Sequence, residues 1–301
     1  MHLTLRLVCV AALCVLLVAV VDTDALWDRL RNVAPGWIVA ATLCLIAQTM
    51  LMAQRWRLVA TCLGVTFSYP WALREYLLSQ TLNQGLPGGV LGDGARALRS
   101  APGTGNRMPA AQAVILERAA GQLGLLAVAM IGLTFALFAP GALAGAQGVV
   151  VRIALAAVAL CMLGAVIAVV MRGSRPVTLV RRCLPTWRIG LVQAGLSVAA
   201  ALLNIAAFAA CAQATGTALD LPSALVLVPL ILSAMLIPLS VGGWGWREGA
   251  AAVVFPLIGA SAEAGIAAGV LFGAVMILSL LPALPLLIWR GGGRPVAASS
   301  Q

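Results

Sequence analysis

Residues 189–214 read IGLVQAGLSVAAALLNIAAFAACAQA, twenty-six residues without one charged side chain. A helix of that length rises about 39 Å, more than the ~30 Å hydrocarbon core of a bilayer. Further apolar segments lie at 3–21, 37–54, 110–139, 149–171, 222–238, 246–260 and 264–289. The whole chain agrees: of its 301 residues 62% are hydrophobic and 9% charged, and the mean hydropathy is +1.05. A soluble domain carries roughly 25% charge. Folding alone cannot keep this much apolar surface from water, so most of it must face lipid. That excludes a soluble enzyme, a secreted disulfide scaffold and a disordered chain. The predicted fold is an all-α integral membrane protein with about eight transmembrane segments. It forms one polytopic domain over 1–290, followed by a short tail, 291–301, expected to be disordered.

All 19 basic residues are arginine, and the net charge is +10. In a soluble protein this would suggest nucleic acid, but here the arginines fall between apolar spans and read as topology signals. With the amino terminus inside, the inner side receives Arg6, six arginines from Arg55 to Arg107, five from Arg172 to Arg188, Arg290 and Arg294. The outer side holds Arg29, Arg31 and Arg152 beside Asp22, Asp24, Asp28, Asp220 and Glu263. The bias predicts both termini and the 172–188 loop in the cytoplasm, and the Ala- and Arg-rich, Lys-free usage points to a bacterial inner membrane. Val21-Asp22-Thr23-Asp24-Ala25 makes a poor signal-cleavage site, so segment 3–21 reads as an uncleaved first helix. Seven cysteines form no C-x-x-C pair, and the one histidine is His2. Histidine-based catalysis and a metal motif are therefore not expected, nor is a cofactor.

Two regions depart from simple spans. Residues 58–108 are too long for a bundle connection and too apolar for a solvated loop. Segments 222–238 and 246–260 are short, and Pro222, Pro229 and Pro238 interrupt the first. Such broken segments predict one or two re-entrant hairpins.

The breaks carry similar sequences. LPGGVLGDGAR at 86–96 and IPLSVGGWGWR at 237–247 share five of eleven positions at an offset of 151: Pro87/Pro238, Val90/Val241, Gly92/Gly243, Gly94/Gly245 and Arg96/Arg247. The offset suggests two pseudo-symmetric halves, about 1–150 and 151–290. Proline removes a backbone donor and glycines tolerate unusual φ/ψ, so Pro87, Gly88, Gly92, Pro238, Gly243 and Gly245 mark helix breaks. An exposed helix start and an arginine fork then make a place for an anionic group such as phosphate. The alternative is a cytoplasmic turn with an arginine reaching to headgroups.

Glu117 and Arg118 stand side by side in an apolar span, pointing about 100° apart, so they should not pair with one another. Glu117 shares a face with Gly121 and Gly124, which permit close helix packing, and Arg118 with Gln122. Asp93, Glu117 and Glu248 match Arg96, Arg118 and Arg247 in number. This set reads equally as a closed structural network or as a substrate or proton site. Glu248 is expected near Arg96 or Arg118. Arg55, Trp56 and Arg57 read as an interfacial anchor.

These motifs resemble the lysylphosphatidylglycerol synthase transmembrane-region family, a flippase-like domain. The matching residues are Asn83 with Leu86-Pro87-Gly88, Gly92-Asp93 with Arg96, Leu116-Glu117-Arg118, and 237–249, IPLSVGGWGWREG, which includes Ser240. Gly94 departs from the pattern, standing where a bulkier apolar residue is expected. The resemblance implies a membrane-embedded lipid translocator acting on anionic, aminoacylated, polyprenyl-linked or hopanoid-related lipids. On it, Asn83, Asp93, Arg96, Glu117, Arg118, Ser240, Arg247 and Glu248 are the expected substrate contacts, and no aminoacyl-transfer domain is expected after Arg290. The competing readings are an intramembrane enzyme with Glu117 or Glu248 as general base, and a scaffold for a lipid- or glycan-synthesis enzyme. Membrane lipids are the expected partners, and nucleic acid is not.

Overall fold

The computed structural model describes residues 22–86, 91–101, 107–138, 186–236, 242–282, 285 and 296–297. The helices are α1 (Thr23–Arg31), α2 (Pro35–Cys62), α3 (Tyr69–Gly85), α4 (Leu91–Ser100), α5 (Met108–Phe138), α6 (Trp187–Ala214), α7 (Leu221–Ser233), α8 (Trp246–Val254) and α9 (Ala262–Leu278). Their starts follow from local chemistry. Asp22 accepts hydrogen bonds from the Asp24 and Ala25 N–H groups, Thr186 from Ile189 and Ser261 from Ala264. Prolines occupy the first turns of α2, α3 and α7, where a missing N–H removes no helical bond.

Among the described residues, three helices are long and apolar enough to cross a membrane: Pro35–Cys62, Met108–Phe135 and Trp187–Ala214. Two shorter apolar helices, Leu221–Ser233 and Ala262–Leu278, accompany them. The protein is thus an all-α membrane protein, but the described helices do not establish eight spans. Segments 3–21 and 149–171, and nearly all of the 172–188 loop, lie outside the described residues. The region 58–108 resolves into α3 and α4, of 17 and 10 residues, which pack against each other. At ~1.5 Å per residue they are about 26 and 15 Å long, less than the hydrocarbon thickness. Segments 222–238 and 246–260 become α7 and α8, of 13 and 9 residues, each running into a short 3-10 turn. Val296 and Ala297, in the tail expected to be disordered, pair antiparallel with Val65 and Thr66.

α2 lies most extensively against α6, α5 against α7 and α6, and α8 against α9. Alanines make these contacts close. Ala41 of α2 and Ala201, Ala207 and Ala212 of α6 belong to one buried cluster, centred on the rings of Phe208, Phe255 and Phe272. A second cluster gathers Trp56, Phe67, Trp71 and Tyr76 where α2 meets α3. Large apolar side chains also cover the outside of the long helices: Leu43 is 61% exposed, Ile115 64%, Phe135 62% and Leu191 62%. That surface suits lipid, not water.

Candidate functional site

The site starts where α4 docks on α3. Gly92 allows it: a methyl there would overlap the Ser79 carbonyl. The close approach lets the Gly92 N–H donate to Asn83 Oδ1 at 2.8 Å, while Asn83 Nδ2 donates to Asp93 Oδ2 at 3.2 Å. Asp93 also accepts from Ser79 Oγ at 3.1 Å, from Arg96 Nη2 at 3.0 Å, and from Arg118 of α5. Four donors thus converge on this one carboxylate and engage both of its oxygens.

Glu117 lies one residue from Arg118 and faces another way, as the helical angle requires. It accepts from Arg55 Nη2 at 2.6 Å, Arg96 Nη2 at 3.2 Å and the Tyr76 hydroxyl at 3.2 Å. Arg55 also donates to Ser197 Oγ at 3.1 Å, and its guanidinium fills the space that Gly121 leaves. Arg96 lies over the rings of Trp56 and Tyr76, with its central carbon 4.5 and 4.3 Å from the ring centres. Arg55 Nε and Arg96 Nε and Nη1 are buried without a hydrogen-bond partner among the described residues. Three arginines thus share two carboxylates, leaving one positive charge in excess. Arg55 and Arg96 are sealed in, whereas the Arg118 side chain is 43% exposed.

This overturns the reading of Arg55 and Trp56 as an interfacial anchor. α2 continues past its apolar stretch because Glu117 supplies the carboxylate that a buried guanidinium needs, and both residues are almost fully buried. The expected partner of Glu248 also changes. At the start of α8, Gly245 has φ 86° and its N–H donates to Glu248 Oε2 at 2.6 Å. Turned back toward the helix start, the carboxylate meets Arg247, whose Nε donates to Oε1 at 3.1 Å. The Arg247–Glu248 pair is therefore separate from the Asp93–Glu117 network. Arg247 lies near the rings of Trp244 and Phe272, in a space kept open by Gly273.

A cavity of about 310 Å³ opens between these two constructions. Asn83, Asp93, Arg118 and Gly243 line it, as do Gln48, Gln80, Gln84, Gln122 and Asn204. The flanks of the two breaks meet here: a methyl on Gly242 would overlap the Gln84 side chain. Arg96, Glu117, Arg247 and Glu248 do not line the cavity. Arg96 stands behind Tyr76 and Asp93, and Arg247 behind Phe272 and Met276, whose sulfur is 3.8 Å from Arg247 Nη1. Gly245 caps α8 away from it. Pro87, Gly88, Pro238 and Ser240 lie outside the described residues.

The model of the lysylphosphatidylglycerol synthase TM region family matches residues 3–283, nearly the whole chain. The chain belongs to this family. No curated protein sequence matches it. Membership of the lysylphosphatidylglycerol synthase TM region family ties the chain to lipid handling in a membrane.

In this family member, sequence motifs lead to Asn83, Asp93 and Arg118 but miss Arg55, Ser197 and most of the cavity wall. A signal for the wall was present. Gln48, Gln122 and Asn204 each stand inside an apolar span, where a carboxamide is expensive unless it meets a partner or water. Arg55 is harder to read, because a basic residue near the end of an apolar run is what a topology anchor also looks like.

Proposed function

We propose that the protein binds an anionic lipid by its headgroup in the cavity beside Arg118 and carries it across the bacterial inner membrane, with both termini cytoplasmic. The observation that supports this most is the contrast among the arginines. Arg55, Arg96 and Arg247 are sealed behind the wall, while Arg118, held by Asp93, faces a polar cavity. A phosphate entering there competes with Asp93 for Arg118, and Asp93 keeps Arg96, Ser79 and Asn83 as donors when it yields. The short helix pairs α3–α4 and α7–α8 are read as re-entrant hairpins that bring the two breaks to the headgroup. The protein is read as a non-enzyme: Glu117 and Glu248, which a general-base mechanism would use, are each tied to arginine and turned away from the cavity.

The test uses purified protein in liposomes containing fluorescent phosphatidylglycerol, with an impermeant quencher reporting transfer between leaflets. Wild type should accelerate transfer over protein-free vesicles. Arg118→Gln should lower the rate at least about tenfold, the kinetic worth of ~1.4 kcal/mol, with thermal unfolding unchanged. No acceleration by wild type, or full activity in Arg118→Gln, refutes the proposal.

A further inference from the structure

Met276 of α9 lies where the two breaks approach one another. Its sulfur accepts from Gln84 Nε2 at 3.6 Å and from Arg247 Nη1 at 3.8 Å. Gln84 stands near the end of α3, just before the first break, and Arg247 in the first turn of α8, just after the second. Gly242 packs on the Gln84 side chain at the same place. One thioether thus bridges the flanks of both breaks.

A thioether is a weak acceptor, yet for each of these two nitrogens it is the sole acceptor among the described residues. Arg247 gives its other nitrogens, Nε and Nη2, to Glu248, and its side chain is fully buried. A cationic N–H sealed from water and facing sulfur is under-satisfied. What this spot lacks is an oxygen.

Oxidation of the sulfur supplies one. With hydrogen peroxide, a sulfur lone pair attacks one peroxide oxygen, and the S–O bond forms as the O–O bond breaks. Sulfur loses two electrons, and the second oxygen leaves as water with the proton of the first. Met276 is half-buried and lines the cavity, so a small oxidant entering there reaches its sulfur. An oxygen set between the two nitrogens brings both contacts toward the ordinary N–H···O range of ~2.9 Å, and the one from Arg247 is charge-assisted. Methionine oxidation usually disrupts, because it forces a polar group into an apolar core. Here the donors already stand in place, and the sign reverses.

We infer that Met276 is a modification site whose sulfoxide clasps Gln84 to Arg247, tying the flanks of the two breaks together and stabilising the fold. The clasp consists of the protein's own side chains and needs no lipid in the cavity.

The test uses the full chain in phosphatidylcholine nanodiscs, treated with hydrogen peroxide and mapped by mass spectrometry. Exposed Met108 serves as the internal standard. If Met276 stays reduced after Met108 is fully converted, it is not a modification site. A partly oxidised sample is then heated to its unfolding midpoint, and the folded and unfolded fractions are mapped separately. The odds of sulfoxide at Met276 should be about fivefold higher in the folded fraction. Equal odds, or enrichment in the unfolded fraction, overturn the clasp. Gln84→Leu removes one donor and should reduce the enrichment to about twofold; an undiminished enrichment removes Gln84 from it. Met276→Gln carries an amide oxygen in place of the sulfoxide. Without peroxide it should unfold at a higher temperature than Met276→Leu and exchange amide hydrogens more slowly across residues 242–247. An unfolding temperature equal to or below that of Met276→Leu counts against the clasp, and the heating experiment, which needs no variant, decides the matter if either variant fails to fold.

Discussion

The two related stretches, 86–96 and 237–247, share letters but not backbone. Gly92 and Gly94 lie inside helix α4, whereas their counterparts Gly243 and Gly245 hold φ values of 81° and 86° in the turn before α8. Glycine is needed at 92 for its size, because α3 passes too close for a methyl, at 245 for its freedom of backbone, and at 243 for both, since a methyl there would also overlap the Met235 side chain. Both stretches nonetheless deliver an arginine that is fully buried, lies near two aromatic rings and pairs with a carboxylate one layer behind the same cavity. Similar sequence at a fixed offset predicts the endpoint better than the path. The carboxylates differ too: Glu117 comes from another helix and serves two arginines, while Glu248 is the next residue and serves one.

The largest effect should come from that last difference. Glu117→Ala strips Arg55 of its carboxylate and leaves Arg96 with Asp93 alone, and should cost ~3–5 kcal/mol or more, seen as loss of folded protein or a steep fall in thermal unfolding temperature. Glu248→Ala strands one arginine and should cost less; the reverse order would break the comparison. Next come the glycines. Gly92→Ala should cost ~1–3 kcal/mol through overlap with α3, and Gly92→Asn more still. Gly243→Ala should cost at least ~1–2 kcal/mol through its left-handed φ and its overlap with the Met235 side chain, and Gly243→Asn should recover part of the backbone share, because asparagine tolerates the region. Equal responses to asparagine at the two positions would mean that the glycines do the same work. Arg247→Lys keeps the charge but loses the planar fork held by Glu248, and should lower stability by about 1 kcal/mol. Lipid affinity should be unchanged, since Arg247 is off the cavity wall; a selective loss of lipid binding would return it to the site. The smallest effect belongs to Arg99→Ala. Its pair with Glu75 is 39% exposed on the Arg99 side, and Arg74 remains on the same carboxylate, so less than ~1 kcal/mol is expected by the same assay.

The membrane class was plain in the sequence because long uncharged runs have one physical outcome. So was the separation of Glu117 from Arg118, since a helix turns neighbours apart, and the packing role of Gly121 and Gly124, against which Arg55 and Ser197 lie. Glu248 shows where such reasoning stops. Adjacent residues do pair at a helix start, because a carboxylate that folds back to the Gly245 N–H swings toward its neighbour. Arg55 was unreadable for another reason. Its role depends on which helix stands opposite, and a partner 62 residues away leaves no local trace.

That distance has a meaning during synthesis. Chains emerge amino terminus first, at about 5–20 residues per second. Arg55 leaves the ribosome 62 residues ahead of Glu117, a wait of about 3–12 s, and Arg96 precedes the same carboxylate by 21 residues. Until Glu117 arrives, Arg55 cannot be sealed in a membrane interior with the partner it finally keeps. The last turns of α2 therefore reach their final place only once α5 has arrived, whereas Arg96 has Asp93 on its own helix from the start. Arg247, born beside its carboxylate, has no such wait.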